Sequence, residues 1–213
     1  MGGLTLALPK GRIFEEAVGL LVRCGLLKTP LKERSRKLVH EEADSRLKFL
    51  LLRASDVPTY VEHGAADLGI VGRDILEEQG KNLYEPLDLG LCACRLSVAG
   101  PEGSPPWEEL KTRIDLRVAT TFPNLTQRFF AGEGMQVEVI ELRGALELAP
   151  QVGLSDLIVD LVQTGSTLRA NGLVELKEVL PSTARLILNR ASQKTKYEAI
   201  AALIKRLRRG LKG

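Results

Sequence analysis

The sequence predicts an α/β fold built on largely parallel sheets, and three observations support that prediction. Short apolar runs recur along the 213 residues and are typical of buried strands. Amphipathic stretches, with apolar residues at helical spacing, separate these runs. The two patterns alternate from one end of the chain to the other, and such alternation favours parallel strands connected by helices.

The first half of the chain predicts four strands and three helices. An apolar run at 4–8 predicts the first strand. Ile13 and Leu21 share the apolar face of a helix predicted at 13–22, and Gly25 is suited to end it. The other elements are strands at 47–52, 68–71 and 91–99, a helix at 57–63, and a helix that Asp74 caps and that stops at Gly80.

The second half continues the alternation after a loop with the sequence P-E-G-S-P-P at 101–106. Its predicted strands lie at 116–119, 136–140, 157–162, 174–180 and 184–188. Its helices are predicted at 125–131, at 145–149, after a loop at 164–167, and at 194–211. The last helix is basic and amphipathic, which indicates a solvated face or a docking face for another subunit rather than a nucleic-acid surface.

The composition argues against nucleic-acid and membrane partners. Lys and Arg total 30 against 27 Asp and Glu, and aromatic residues make up only 4%, so base-stacking platforms are poorly supplied. No signal segment is recognised, and no apolar run approaches the roughly 20 residues that a membrane span needs. Three cysteines, an odd number, favour a reducing cytoplasm and show no spacing typical of a zinc site.

The segment D-L-I-V-D-L-V-Q-T-G-S-T-L, at 156–168, points most directly to chemistry. Its apolar run predicts a strand, and the small residues Thr164 to Thr167 predict a turn that leads into a helix. Such a turn directs backbone N–H groups at a phosphate, and the positive end of the helix dipole adds to the attraction. Asp156 and Asp160, four residues apart, share one side of the strand. Together these features indicate a sugar phosphate whose hydroxyls the acids bind.

Six motifs in this chain resemble those of ATP phosphoribosyltransferase in its short form, in the same order. They are P-K-G-R at Pro9–Arg12, S-R-K-L at Ser35–Leu38, the run from Arg53 to Asp74, D-L-G at Asp88–Gly90, F-P-N-L-T at Phe122–Thr126, and the run from Gly153 to Leu173. A single T-G-S-T would be weak support, whereas six ordered motifs that span nearly the whole chain are strong support.

The resemblance implies a two-lobed fold like that of type II periplasmic binding proteins, with a central cleft and no C-terminal regulatory domain. The first lobe would comprise 1–88 plus 177–213, and the second, with the phosphate loop, 89–176. Short-form relatives work with a regulatory subunit that resembles histidyl-tRNA synthetase, so the resemblance implies a hetero-octamer containing dimers of this chain. No nucleic-acid or membrane partner is implied.

The implied reaction is a pentosyl transfer, the first step of histidine biosynthesis. Adenine N1 of ATP attacks the anomeric carbon of 5-phosphoribosyl diphosphate (PRPP), and diphosphate leaves. Because adenine N1 is largely unprotonated at neutral pH, positioning and electrostatics should supply most of the rate. Mg²⁺ is the implied cofactor, carried by the substrate phosphates rather than by a protein metal site.

Residue by residue, the resemblance assigns three groups. The PRPP group is Asp156, Asp160, Thr164, Gly165, Ser166 and Thr167. The catalytic cations, which offset charge on the leaving diphosphate, are Arg12 and Arg36. Contacts to ATP or diphosphate are expected from Lys10, Gly11, Arg53, Asp56 and Asp74, although helix capping is a competing role for the two acids. His40 and His63 receive no role.

Departures from the family pattern remove some assignments and leave one alternative open. Thr121, Phe122 and Ala145 stand where the family usually has lysine, tyrosine and serine, so we assign no role there. The alternative function is a small-molecule-binding sensor on the same two-lobed scaffold, because a fold does not determine a function. A P-loop hydrolase is excluded, since the chain lacks G-x-x-x-x-G-K-[S/T].

Overall fold

The structure is a computed structural model that describes residues 3–33 and 37–212. Its contacts divide the chain into two compact units. The first unit contains the residues up to 76, residues 80–92, and those from 183 onward; the second contains 77–79 and 93–182.

Eleven strands and nine α-helices make up the described residues. The strands are β1 (Leu4–Pro9), β2 (Val39–Glu42), β3 (Leu47–Leu52), β4 (Leu68–Gly72), β5 (Tyr84–Asp88), β6 (Cys94–Pro101), β7 (Leu116–Thr120), β8 (Val137–Glu141), β9 (Leu157–Val162), β10 (Leu173–Ser182) and β11 (Ala184–Leu188). The helices are α1 (Arg12–Arg23), α2 (Val57–Glu62), α3 (Arg73–Gln79), α4 (Trp107–Leu110), α5 (Pro123–Gly132), α6 (Leu148–Gln151), α7 (Ser166–Ala170), α8 (Arg190–Thr195) and α9 (Tyr197–Gly210). A short 3₁₀ turn, Ala54–Asp56, precedes α2.

The first unit contains a six-stranded sheet in the order β2-β3-β1-β4-β11-β5. β1 runs parallel to β3 and β4, while β11 is antiparallel to β4 and β5. The chain therefore leaves β1, β3, β4 and β5 at the same edge of the sheet. Leu6, Phe49 and Ile70 are fully buried in its core together with Leu21 of α1 and Leu207 of α9, which agrees with the helical spacing of the apolar residues.

The second unit contains a five-stranded sheet in the order β10-β6-β9-β7-β8. β7 is parallel to both β8 and β9, whereas β6 is antiparallel to β9 and β10. The carboxyl ends of β7, β8 and β9 consequently lie at one edge. Trp107 packs against Phe130 with ring centroids 5.9 Å apart, in a core that also buries Leu96 and Val118.

A buried carboxylate fastens α8 and α9 to the first sheet. Asp67, only 5% exposed, accepts hydrogen bonds from the Thr5 N–H (2.9 Å), the Ser192 hydroxyl (2.6 Å) and the Lys196 ammonium (2.8 Å). All three contacts lie within the first unit, and they join residues that are far apart in the sequence. The carboxylate therefore links the start of β1 to the C-terminal helices.

The two-lobed α/β fold is confirmed, and most predicted elements agree with the structure to within two residues. Gly25 has the positive φ of 63° that ends a helix in the left-handed conformation, as expected from its position after α1. The sequence did not predict β2, β5 or α4, because they are short or lack a regular apolar pattern.

Four local predictions were wrong. The strand expected at 91–99 begins only at Cys94, because Cys92 has a φ of 51°, which interrupts extended backbone. The helix expected at 145–149 is α6 at Leu148–Gln151, and the one at 194–211 is divided at Lys196 into α8 and α9. Asp74 does not cap α3: Gly72 is the N-cap residue, and Asp74 is the second helical residue, buried beside it.

The lobe boundaries at 88 and 177 stay a prediction. Contacts in the structure divide the chain after Cys92 and after Ser182. Residues 177–182 belong to β10, which pairs with β6 in the second sheet. Among the described helices, none combines the length and apolarity required to cross a membrane.

Candidate active site

The T-G-S-T segment forms the connection between β9 and α7, as the sequence predicts. Gly165 adopts φ 72° and ψ 6°, the left-handed conformation that glycine reaches without steric cost. The Thr164 and Ser166 hydroxyl oxygens lie 3.0 Å apart, and both side chains are exposed together with Thr167. The turn thus presents three hydroxyls and its backbone to solvent at the carboxyl end of β9.

Backbone N–H groups of this loop are available to a ligand. Within the described part of the chain, no protein atom accepts a hydrogen bond from the N–H of Thr164, Gly165, Thr167 or Leu168. The Ser166 N–H has only a long contact of 3.4 Å to the Thr164 hydroxyl. A group of N–H donors without protein acceptors at the start of a helix is suited to bind an anion.

Asp160 is a half-buried carboxylate on β9, four residues before the loop begins. Burial raises the pKa of its carboxyl to about 6; the Leu161 N–H, which donates to Oδ1 at 2.7 Å, opposes that rise, and the charge of Glu147 adds to it. At neutral pH the group is ionised but poorly solvated. An ionised carboxylate that lacks solvent benefits strongly from hydroxyl donors on a ligand.

Asp156 does not join this group. It precedes β9, whereas the loop follows it, and four extended residues place it about 13 Å from Asp160. Its carboxylate is already paired with Arg117, whose backbone N–H donates to Oδ2 at 2.9 Å and whose guanidinium lies 3.3 Å away. Burial favours a higher pKa for Asp156, but the Arg117 contacts outweigh it and hold the pKa below its ordinary value. The even spacing placed both acids on one side of the strand but could not bring them to one end.

Three charged residues near the loop were missed by sequence reasoning. Glu147 influences Asp160 electrostatically. Arg169 donates a hydrogen bond to the Thr164 carbonyl in the loop, and Arg95 donates one to the carbonyl of the residue just before the loop. Arg169 lies within the T-G-S-T-L-R-A-N-G-L motif, five residues after Thr164, so its position next to a turn was a usable signal. Glu147 and Arg95 come from distant sequence positions, and only the sheet order brings them near.

In the first unit, the predicted nucleotide contacts follow strands that end at one edge. Lys10 follows β1 and Arg53 follows β3, and the Lys10 N–H donates to the Leu52 carbonyl at 2.7 Å, which holds the two connections side by side. Asp74 follows β4, the other neighbour of β1. Parallel pairing thus gathers residues 10, 53 and 74, which follow three different strands, at one edge of the sheet.

The start of α1 is held by two acids. Gly11, with φ 97°, is the N-cap residue of α1, and its N–H donates to the Glu33 carboxylate at 2.6 Å. Glu16 accepts from the Cys92 N–H and thiol, both at 3.1 Å, and the same thiol lies 3.4 Å from the Arg12 carbonyl. Arg12 is exposed as the first residue of the helix. A carboxylate at the Gly11 N–H shows that this turn accepts an anionic oxygen.

The other residues predicted to contact nucleotide or diphosphate are Asp56, Asp74 and Arg36. Asp56 is exposed and occupies the N-cap position of α2, but its side chain makes no capping hydrogen bond; its carboxylate accepts a hydrogen bond from the Ser55 hydroxyl at 3.2 Å. Asp74 is 4% exposed. Arg36 and the neighbouring Ser35 lie outside the described residues. Across residues 3–33 and 37–212, no three His, Cys, Asp or Glu side chains gather in a way that could hold a metal ion.

Comparisons with known proteins agree on one family. A family model described as "HisG: ATP phosphoribosyltransferase" matches residues 53–209. ATP phosphoribosyltransferase from Geobacter metallireducens is 52% identical over 204 residues, which cover 96% of each chain. The enzyme of the same name from Caldanaerobacter subterraneus is 53% identical over 210 residues, covering 99% of this chain and 98% of that one.

Solved structures give the same picture. The structure described as the ATP phosphoribosyl transferase (HisG:HisZ) complex from Thermotoga maritima superposes with a TM-score of 0.84 at 36% identity, over 98% of both chains. The alkanesulfonate-binding protein SsuA from Xanthomonas axonopodis has a TM-score of 0.58 at 14% identity, over 99% of this chain and 73% of its own. The second likeness concerns the fold alone, and it is the periplasmic-binding-protein fold that the motifs implied.

Proposed function

Because this chain belongs to the ATP phosphoribosyltransferase family, which performs the first step of histidine biosynthesis, we propose that the loop at Thr164–Thr167 binds the 5-phosphate of PRPP. The observation that supports this assignment is the set of loop N–H groups that find no acceptor among the residues the structure describes, together with three exposed hydroxyls. A phosphate monoester carries three oxygens that accept such donors, and the positive end of α7 adds a favourable dipole.

Asp160 orients the ribose in this proposal. Its carboxylate lies on the strand that leads into the loop, so a phosphate held by the loop places the sugar ring near β9. The ribose 2- and 3-hydroxyls donate to the ionised carboxylate, and the same carboxylate would be a suitable ligand if Mg²⁺ accompanied PRPP. Such charge-assisted bonds are each worth about 1.5–3 kcal/mol, and they restore the solvation that burial removes.

Cations stabilise the leaving diphosphate. Bond formation between adenine N1 and the anomeric carbon displaces diphosphate, which takes the electron pair of the breaking C–O bond. Lys10 and Arg12 follow β1 and Arg53 follows β3 at the carboxyl edge of the first sheet, and we assign ATP or diphosphate contacts to these cations. The Gly11 N–H, now bonded to Glu33, is suited to a phosphate oxygen. Arg36 has the second catalytic position on the strength of its motif.

Two further acids keep weaker roles in the proposal. Asp56 is exposed at the edge from which Arg53 also projects, so it can contact the nucleotide or its Mg²⁺. Asp74 is buried against Gly72 and is better suited to shape the turn after β4. Mg²⁺ would travel with the substrate phosphates, because phosphate oxygens and a few carboxylates are its usual ligands.

We also propose a regulatory partner that resembles histidyl-tRNA synthetase, in a hetero-octamer that contains dimers of this chain. The Thermotoga maritima neighbour, described as a HisG:HisZ complex, supports a partner of this kind. Along α9, Tyr197, Ile204, Lys205 and Arg208 line a cavity of about 520 Å³. Neither cation pairs with a carboxylate of the described chain, so this face is suited to an acidic partner surface. The three free cysteines fit a reducing cytoplasm.

The test is a direct assay with ATP and PRPP that follows phosphoribosyl-ATP by its absorbance, with and without Mg²⁺. We expect Mg²⁺-dependent product formation by the wild-type chain and loss of at least about 90% of kcat/KM for PRPP in Asp160→Asn. The control is Asp156→Asn, which alters an acid of the same strand at its far end and should retain most activity. Binding of both substrates without turnover would instead favour the sensor function.

A further inference from the structure

Two guanidinium groups contact backbone carbonyls at the start of the loop between β9 and α7. Arg169, on α7, donates from Nη2 to the Thr164 carbonyl at 3.2 Å. Arg95, on β6, lies with Nη1 3.5 Å from the carbonyl of Gln163, the residue before the loop. Each arginine therefore contacts one of the two consecutive carbonyl oxygens at the start of the turn.

Peptide geometry gives these contacts a consequence for the N–H groups. In a trans peptide, the carbonyl of one residue and the N–H of the next point in opposite directions. A guanidinium at the Thr164 carbonyl thus directs the Gly165 N–H away from itself, and one at the Gln163 carbonyl does the same for the Thr164 N–H. Neither of these N–H groups has an acceptor among the described residues.

Arg95 is itself held firmly by its neighbours. Its Nε donates to Glu175 Oε1 at 2.5 Å, and its Nη2 pairs with the other oxygen of the same carboxylate. The Ser97 hydroxyl donates to Glu175 at 2.8 Å. Ser97 is the register partner of Asp160 on the adjacent strand, so this network lies directly beside the proposed ribose-binding acid.

Gly165 provides the room that Arg169 occupies. A Cβ atom at position 165 would lie 3.0 Å from Arg169 Nη1, closer than ordinary van der Waals contact. The absence of a side chain at Gly165 therefore serves two purposes, since it permits the positive φ and lets the guanidinium lie over the turn. The loop backbone and the arginine are packed as one unit.

We propose that Arg169, supported by Arg95, is a positioning residue that holds the loop carbonyls turned away from the bound phosphate and thereby keeps the loop N–H groups aimed at it. This inference rests on the proposed PRPP function of the loop. Arg169 acts from the carbonyl side, so its effect passes through the backbone rather than through a contact with phosphate.

The test compares Arg169→Ala with the wild-type chain in kinetics and in NMR spectra. We expect KM for PRPP to rise about tenfold, as expected for the loss of one charge-assisted hydrogen bond, while KM for ATP stays within about twofold. In the ligand-free protein, ¹⁵N relaxation should show that the amides of 164–167 become more mobile. Arg95→Ala should give the same pattern at smaller amplitude, because its contact with the loop is longer.

Arg206→Ala is the matched control, since Arg206 also donates to backbone carbonyls, at Cys24 and Gly25, but in the first unit. It should leave KM for PRPP unchanged. Unaltered loop mobility in ligand-free Arg169→Ala would overturn the positioning role, even with a raised KM, because a direct phosphate contact would then account for the kinetics.

A separate measurement tests the proposed phosphate-binding function of the loop independently of the role of Arg169. Titration of the wild-type chain with ribose 5-phosphate should shift the amide signals of 164–167, and the absence of any shift would refute the loop as a phosphate site. Shifts of equal affinity in the wild-type chain and in Arg169→Ala would leave the phosphate site intact and refute only the inference about Arg169.

Discussion

Replacing Asp160 with Asn should stabilise the second unit while it removes activity, and the structure sets the size of the effect. Burial raises the pKa of this carboxyl from 3.8 to about 6, so the native state loses stability when the group ionises. A difference of about two pKa units corresponds to about 3 kcal/mol at pH 7.5. Asn keeps an oxygen for the Leu161 N–H and removes the charge. We therefore expect the free energy of unfolding to rise by about 2 kcal/mol, which corresponds to an increase of roughly 4–8 °C in Tm.

The pH dependence of this stability difference shows whether the buried charge of Asp160 causes it. Because the folded pKa is the higher one, the native state binds the proton more tightly, and the penalty grows as pH rises from about 4 to about 6. The difference in unfolding free energy between Asp160→Asn and the wild-type chain should therefore fall at pH 4.5 to about a third of its value at pH 7.5. Urea unfolding followed by the fluorescence of Trp107, the single tryptophan, reports on the unit that contains Asp160.

Asp156→Asn is the matched control with the opposite sign. Arg117 holds the pKa of Asp156 below its ordinary value, so its ionised form stabilises the native state, and that contribution is lost as pH falls through the folded pKa. The variant should be less stable than the wild-type chain at pH 7.5. If Asp160→Asn gave no gain at pH 7.5, or a gain that did not shrink at pH 4.5, burial of the Asp160 charge would not be the source of its raised pKa.

Three further predictions follow from the same geometry. Affinity for PRPP should weaken as pH falls below about 6, since protonated Asp160 no longer accepts two hydroxyl donors, and KM for PRPP measured from pH 5 to pH 8 should show this while Asp160→Asn stays flat. Arg12→Ala should lower kcat about tenfold or more with little change in ATP affinity by calorimetry, and an effect confined to ATP affinity would refute its action on the leaving group. Asp67→Ala should cost about 3 kcal/mol or more in urea unfolding, because Lys196 and Ser192 lose their shared acceptor, and a loss below about 1 kcal/mol would show that this network is not important for stability.

Local signals in the sequence were sufficient for most elements. The helical spacing around Leu21 predicted α1, and the small residues after β9 predicted its turn, because both depend on neighbours within a few positions. Elements without such signals were missed. The exposed strand β2 has no continuous apolar run, and the left-handed conformation of Cys92 has no local signature in a residue that is not glycine.

The candidate site, too, was predictable only where a motif in consecutive residues indicates the chemistry. From the sequence alone, the T-G-S-T turn, Asp160 and the cations of P-K-G-R could be nominated, since each motif carries its own chemistry. The tertiary structure decided which of them lie together: strand polarity placed Asp156 at the far end of β9, and sheet order brought Arg95 beside the loop. Arg169 was within reach of sequence reasoning, but its contact with a carbonyl was not.

By itself, then, the sequence determined the α/β class and the family, and it predicted the phosphate loop that we propose, because periodicity and motif chemistry depend on consecutive residues. Only the tertiary structure decided the environment of Asp160, whose raised pKa depends on burial and on Glu147, and the orientation of the loop carbonyls toward two arginines. The physical reason is that burial, electrostatic fields and hydrogen-bond direction depend on distances between residues far apart in the chain, and the sheets alone establish those distances.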